Sequence, residues 1–353
     1  MNEQALSAIR DLLDRQPIAA NVTGALVAAI VSGDPEVTVV ARSGFPPPFA
    51  SDSRVLLYSF SKTIVAAALL RLVAAGRLSL HDTLGRFLPQ HPLTAKITLR
   101  AALAHTSGLP DYGGLAEYHA AVRSSSPPWS REEFLARTGA DRLLFEPGSS
   151  FAYSNIGYMW LRDVLTRASD GDMATVLRRE IFDPLGVTTA SVPETKSDLA
   201  DFTFGPSRYL ANGGTPMDVI ARYDPGWIAT GVVGSSATDA ARILRGIMTT
   251  LLPPPLRDEM MTAVTRFAAT EPGRPWRQPA YGLGLQIDCD ESSGPIYGHT
   301  GGGPGVSPAV FHFPRRDPPL TLAVITDGED IGLAETLLLA AAERWQANQG
   351  MCS

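Results

Sequence analysis

Lysine is nearly missing from this chain of 353 residues: only Lys62, Lys96 and Lys196 occur. Arginine carries the remaining positive charge, no basic block forms, and the formal net charge is −6. A nucleic-acid groove and an anionic membrane surface are therefore not expected as partners. The two cysteines, Cys289 and Cys352, are too few for a disulfide framework. No apolar run reaches the length of a membrane span. The start, Met1 to Leu6, lacks the basic and apolar regions of a secretory signal. A reducing cytoplasm is the simplest home on these grounds. There is no His-x-x-x-His spacing and no Cys/His cluster, so no metal is expected. The glycines of Gly298–Gly305 lack the spacing of a nucleotide fingerprint, and no cofactor is expected.

What is present is an ordinary globular composition, 44% apolar and 19% charged, with enough length for one large fold or two intimate subdomains. Leu6, Ile9, Leu12 and Leu13 form a helical stripe over residues 3–15. Strand-like runs follow at Gly24–Val31 and Glu36–Arg42, split by the turn Ser32-Gly33-Asp34-Pro35. From about 53 to 250 the pattern is mainly helical, broken by loops. Strand signals return at Tyr281–Asp288, Ile296–Thr300, Ser307–Phe313 and Leu320–Thr326, and a helix over Ile331–Gln346 closes the chain. Proline clusters at 46–48, 127–128, 253–255 and 318–319 read as connections. This order predicts an α/β arrangement of the α+β kind. An antiparallel sheet from both chain ends (1–52 plus 251–353) carries the terminal helices, and a mainly helical domain (53–250) is inserted.

Ser59 and Lys62 stand three apart at the head of Ile64-Val65-Ala66-Ala67-Ala68-Leu69-Leu70, a run so apolar that its helix should be buried. A buried ammonium is strongly disfavoured without a purpose. Activation of the serine hydroxyl would supply one, since an amine beside it can take its proton. The plainer alternative is a capping serine with a lysine that snorkels from the helix end. Tyr153 and Asn155 precede a helix beginning near Ile156. A tyrosine beside a lysine can move a proton, and an asparagine amide can hold a substrate carbonyl; a core tyrosine with a capping asparagine would look the same. His299-Thr300-Gly301 ends a strand-like run, and the Gly302 N–H could complete an oxyanion hole with that of Ser59. Here the alternative is a glycine-rich hairpin with a surface histidine. Each pattern recurs by chance; three in this order carry the weight.

Ser59-Phe60-Ser61-Lys62, Tyr153-Ser154-Asn155 and His299-Thr300-Gly301, with the phrase Leu103-Ala104-His105-Thr106-Ser107-Gly108-Leu109, resemble the serine β-lactamase and DD-peptidase superfamily. The similarity runs from about residue 20 to 345 and is strongest to the branch of class C β-lactamases, DD-carboxypeptidases and related esterases. It implies a cleft between sheet and helical domain, with Ser59 as nucleophile and Lys62 with Tyr153 as its activating pair. It further implies that Asn155, His299, Thr300 and Gly301 bind substrate and that Gly302 serves the oxyanion. His105 reads as structural. The third motif starts with histidine where class C β-lactamases carry lysine, and the Glu-x-x-Leu-Asn of class A enzymes is absent.

The implied activity is hydrolysis of a small-molecule ester or amide through an acyl-enzyme on Ser59. The alternatives are an acyltransferase or peptide cyclase, a β-lactamase or DD-peptidase, and a non-catalytic acyl-binding sensor. Segments Asp111–Trp129 and Phe202–Trp227 are expected to hang over the cleft as loops, with Tyr112, Trp129, Tyr223 and Trp227 as a candidate aromatic pocket. The oligomeric state is not legible from the sequence.

Overall fold

The computed structural model describes residues 3–15, 24–31, 37–41, 49–50, 52–290 and 292–349. The turn at 32–35, the prolines at 46–48 and Cys352 lie outside the described residues. Eight of the strands form one antiparallel sheet: β1 (Ala25–Val31), β2 (Val37–Ala41), β5 (Thr265–Arg266), β6 (Pro279–Tyr281), β7 (Gln286–Asp288), β8 (Ile296–Thr300), β9 (Ser307–Phe313) and β10 (Leu320–Thr326). Their order is β2-β1-β10-β9-β8-β7-β6-β5, so the two chain ends meet where β1 pairs with β10. Two short strands, β3 (Val55–Leu56) and β4 (Gly234–Ser235), pair separately. The fold is the mixed helix and antiparallel-sheet class expected from the sequence.

Successive side chains of a strand point to opposite faces, and β1 sorts accordingly. Ala25, Val27 and Ala29 enter a core beneath the terminal helices, Glu3–Arg15 and Ile331–Gln349. Leu26, Ala28 and Ile30 enter the larger core on the other face. β10 divides likewise, with Leu320, Leu322 and Val324 on the first side and Ala323 and Ile325 on the second. Burial on both faces explains why both strands read as unbroken apolar runs.

The serine helix, Phe60–Ala74, is buried along nearly its whole length in the larger core. Gly76, at φ +68, follows its end. The helix Ala237–Gly246 lies within the 53–250 stretch yet packs on the sheet against β1, β9 and β10.

Two expectations are corrected. Tyr281–Asp288 is not one strand but two, β6 and β7, joined through a turn at Gly284. Gly284 sits at φ +72, and a Cβ there would come within 2.5 Å of the Ala66 Cβ on the serine helix. Its carbonyl also accepts a hydrogen bond from the Thr63 hydroxyl at 2.6 Å. The close approach of that helix, invisible in the alternating pattern, forces the turn. The segments 111–129 and 202–227 are not simple loops, since they contain the helices Ala116–Arg123, Arg208–Ala211 and Val219–Arg222.

Candidate active site

Ser59 occupies the N-cap of the serine helix without making a side-chain capping bond, so its hydroxyl is not held by the helix backbone. Lys62, one turn on and 3% exposed, reaches back with Nζ 3.2 Å from the Ser59 Oγ. The capping alternative is thereby set aside, and the amine does not snorkel outward. The preceding residue, Tyr58, adopts φ +43, a region costly for a side chain with a Cβ. It is held there by a hydrogen bond from its hydroxyl to the Pro304 carbonyl at 2.7 Å. Its ring leaves no room beside Gly303, where a Cβ would lie 2.3 Å from the Tyr58 Cε1. The serine turn and the glycine-rich turn after β8 are thus fitted to each other.

Tyr153 approaches from the segment before the helix Asn155–Ser169, and its side chain lines the same cavity as Ser59. The Lys62 ammonium lies 5.0 Å from the centre of the Tyr153 ring. Ser154, rather than Asn155, caps this helix, accepting from the Gly157 N–H at 3.0 Å. Its own N–H donates to His105 Nδ1 at 3.0 Å. His105 is fully buried, and this bond anchors the Tyr153 segment from behind, the structural part expected of it.

Burial pulls the Lys62 pKa down to about 7, with the Asp111 carboxylate partly opposing the fall. Burial pushes the Tyr153 phenol well up, against the opposing influence of the neighbouring Ser59 hydroxyl. Near neutrality the amine is therefore the group of the pair that can accept a proton, while the phenol stays protonated.

His299 is 1% exposed and not on the surface. Burial, with the Lys62 charge second, lowers its pKa to about 3. The neutral ring fits its contacts, Nδ1 with the Thr300 carbonyl and Nε2 with the Tyr281 hydroxyl at 3.1 Å. Thr300 lies next to it, its N–H and hydroxyl each donating to Gln286 Oε1 at 3.0 Å. Gly301 is fixed by an N–H bond to the Pro308 carbonyl at 2.8 Å. Gly302 lines the cleft together with Ser59.

Two cavities of about 400 and 410 Å³ meet at Ser59, Gly302 and Ile331. One is walled by aromatic rings, among them Phe151, Phe267, Trp276 and Tyr281, and also reaches Tyr153, His299 and Thr300. The other is lined by Tyr112, Tyr118, His119, Tyr209 and Tyr223 beside Lys62 and Asn155. Tyr112 and Tyr223 therefore fall on the cleft as expected. Trp129 and Trp227 do not. Trp227 is 1% exposed and wedged against Tyr118, Trp129 and Phe134, while Trp129 faces a separate surface groove. These tryptophans anchor the segments that carry the tyrosines.

Sequence reasoning missed the carboxylates behind the site. Asp111 accepts from the Asn155 N–H at 2.7 Å and the Gly113 N–H at 3.0 Å, fixing Asn155. Burial raises its pKa, opposed by those bonds and by Lys62. The fully buried Glu335 takes the Arg274 guanidinium through both carboxylate oxygens. Asp111 abuts the His-Thr-Ser-Gly-Leu phrase, which was its one available signal; Glu335 and Arg274 are 61 residues apart and had none.

A sheet that pairs the first strand with the last, and a buried helix that opens on a Ser-x-x-Lys pair facing a tyrosine, make up a β-lactamase-like fold. The chain belongs to the Beta-lactamase family, whose match runs over residues 9–343. Penicillin-binding protein 4* of Bacillus subtilis (strain 168) is 26% identical over 307 residues, covering 84% of this chain and 65% of that protein. The chain thus spans less than two thirds of that relative. Esterase EstB of Burkholderia gladioli is 27% identical over 307 residues, 72% of this chain and 74% of the esterase. Among solved structures, a D-stereospecific amidohydrolase from Streptomyces sp. superposes with a TM-score of 0.78 at 25% identity, covering 97% and 98% of the two chains. These relatives include hydrolases of esters and amides. No helix among the described residues is long and apolar enough to cross a membrane.

Proposed function

We propose that this protein is a serine hydrolase that cleaves a small ester or amide through an acyl-enzyme on Ser59. The observation that carries the reading is the Ser59 Oγ, 3.2 Å from a buried amine and beside Tyr153, where two cavities join. In the forward step the neutral Lys62 amine takes the serine proton as Oγ bonds to the substrate carbonyl carbon. The backbone N–H groups of Ser59 and Gly302 receive the oxyanion. As the carbon–leaving-group bond breaks, the proton passes to the departing oxygen or nitrogen through Lys62 and the Tyr153 hydroxyl. Asn155 holds the acyl carbonyl side, and water then repeats the sequence to release the acid. The esterase and amidohydrolase among the relatives support this reading.

The second cavity favours a further reading: once the first product leaves, it offers room for an acceptor, so an amine or alcohol could replace water. Turnover of a chromogenic acetyl ester tests the proposal. It is expected to vanish in Ser59→Ala, and added amines would divert product from acid to amide only if acyl transfer operates. Undiminished turnover in Ser59→Ala would overturn the acyl-enzyme.

A further inference from the structure

The aromatic cavity contains one permanent cation, Arg274, and that cation is already committed. Four of the five guanidinium N–H groups have partners: Nε and Nη2 on Glu335, Nη1 on Glu271 at 3.3 Å, and Nη2 also on the Thr300 hydroxyl at 3.2 Å. Glu335 is fully buried, so its charge is delivered to the guanidinium rather than to solvent. Burial alone would lower the Arg274 pKa, but Glu335 overrides it and raises the value, as a close ion pair requires.

The second cavity repeats the pattern. Lys62 is its one lysine or arginine, and it is opposed by Asp111. Glu329 stands on the same wall, with its carboxylate taking the N–H groups of Arg208, Tyr209 and Gly305 and the Ser207 hydroxyl. Glu271 lines the aromatic cavity and Glu335 stands behind it against the single guanidinium of Arg274. Glu329 lines the second cavity and Asp111 stands behind the Lys62 amine, with Arg123 over the Tyr209 ring on its outer wall. Glu271, whose side chain is 81% exposed, adds a carboxylate at the mouth of the aromatic cavity.

Resting on the acyl-enzyme reading above, we infer that this cleft takes esters or amides without a carboxylate near the scissile bond, placing an uncharged aromatic-sized group against the wall of Phe151, Phe267 and Trp276. A carboxylate entering that cavity would find no guanidinium edge to receive it and would meet a net negative field in a partly desolvated space. A neutral ring fills the same apolar walls at no such cost.

The test compares acylation and turnover of phenyl acetate, 4-acetoxybenzoate and 4-acetoxy-N,N,N-trimethylanilinium by the full chain, each rate divided by that of the same ester with hydroxide. In each, the Ser59 oxygen–acetyl bond forms, the phenol–acetyl bond breaks, and the serine proton leaves on the phenol. The benzoate is expected to fall about tenfold or more below phenyl acetate at low salt, with the gap narrowing as salt screens the field. The cationic ester should not show that loss. Glu335→Gln frees the guanidinium and should restore the benzoate relative to phenyl acetate. If that buried substitution prevents folding, the exposed Glu271→Gln should move the ratio the same way by a smaller factor. A benzoate accepted as well as phenyl acetate by the native chain would overturn this inference and leave the hydrolase reading standing. Failure of all three esters to acylate Ser59 by intact mass would overturn both.

Discussion

The two faces of the sheet do different work. Under the terminal helices the buried side chains are mainly apolar, with Ile9, Leu13, Leu338 and Trp345 typical of them and Glu335, paired with Arg274 at the rim of the cleft, the ionisable exception. On the other face an equally buried environment holds Lys62, His105 and His299, and the cleft beside them is backed by Asp111. One face follows the rule that apolar groups go inside. The other keeps ionisable groups where burial changes their proton affinity, which is the condition for chemistry near neutral pH. The sheet supplies both, and the contrast locates function without any ligand.

The sharpest break between the faces comes from Ser59→Ala, which should reduce turnover by roughly a thousandfold or more while leaving the melting temperature unchanged. Lys62→Met follows. Its folded-state pKa, about 7, lies below the ordinary 10.5. The unfolded chain therefore holds the extra proton between those values, and stability rises with pH across that window. The cost of burying the ammonium is present in full below about pH 7. Replacing it with methionine should abolish turnover yet raise the melting temperature at pH 6 by roughly 5 °C, read by calorimetry.

The opposite signature is expected from Leu338→Ala in the outer core, a loss of about 2–5 kcal/mol in denaturant unfolding with kcat/KM unchanged. If that variant lost activity at full folding, the separation of the faces would fail. The smallest effect belongs to Tyr281→Phe, which removes the hydroxyl bonded to His299 Nε2. Loss of one neutral hydrogen bond, worth about 1 kcal/mol, should lower kcat roughly fivefold with little change in stability.

How much of this could be read beforehand depends on how local the signal is. β1 and β10 are evident because a strand buried on both faces shows as a continuous apolar run. Ser59 with Lys62 was legible because one helical turn links them, and an apolar helix with a lysine at its head stands out in a chain with three lysines. The aromatic cavity was not, since its walls come from Phe151, Phe267, Trp276 and Tyr281, which are unremarkable where they stand in the sequence. Trp129 and Trp227 misled for a physical reason: large aromatics fasten loops as readily as they line pockets, and only packing tells the two apart. Glu335 was out of reach because it sits in an ordinary-looking terminal helix, and its partner Arg274 lies in a segment without periodicity.

Everything turns on a neutral Lys62 amine drawing the proton from Ser59, and the direct measurement is the pH dependence of Ser59 acylation by an activated ester, followed by quenched intact-mass analysis. The rate should climb about tenfold per pH unit below pH 6, bend near pH 7 and level off above it, with the adduct mapping to Ser59. A rate that is flat from pH 5 to 9, or an adduct on another residue, would contradict the account.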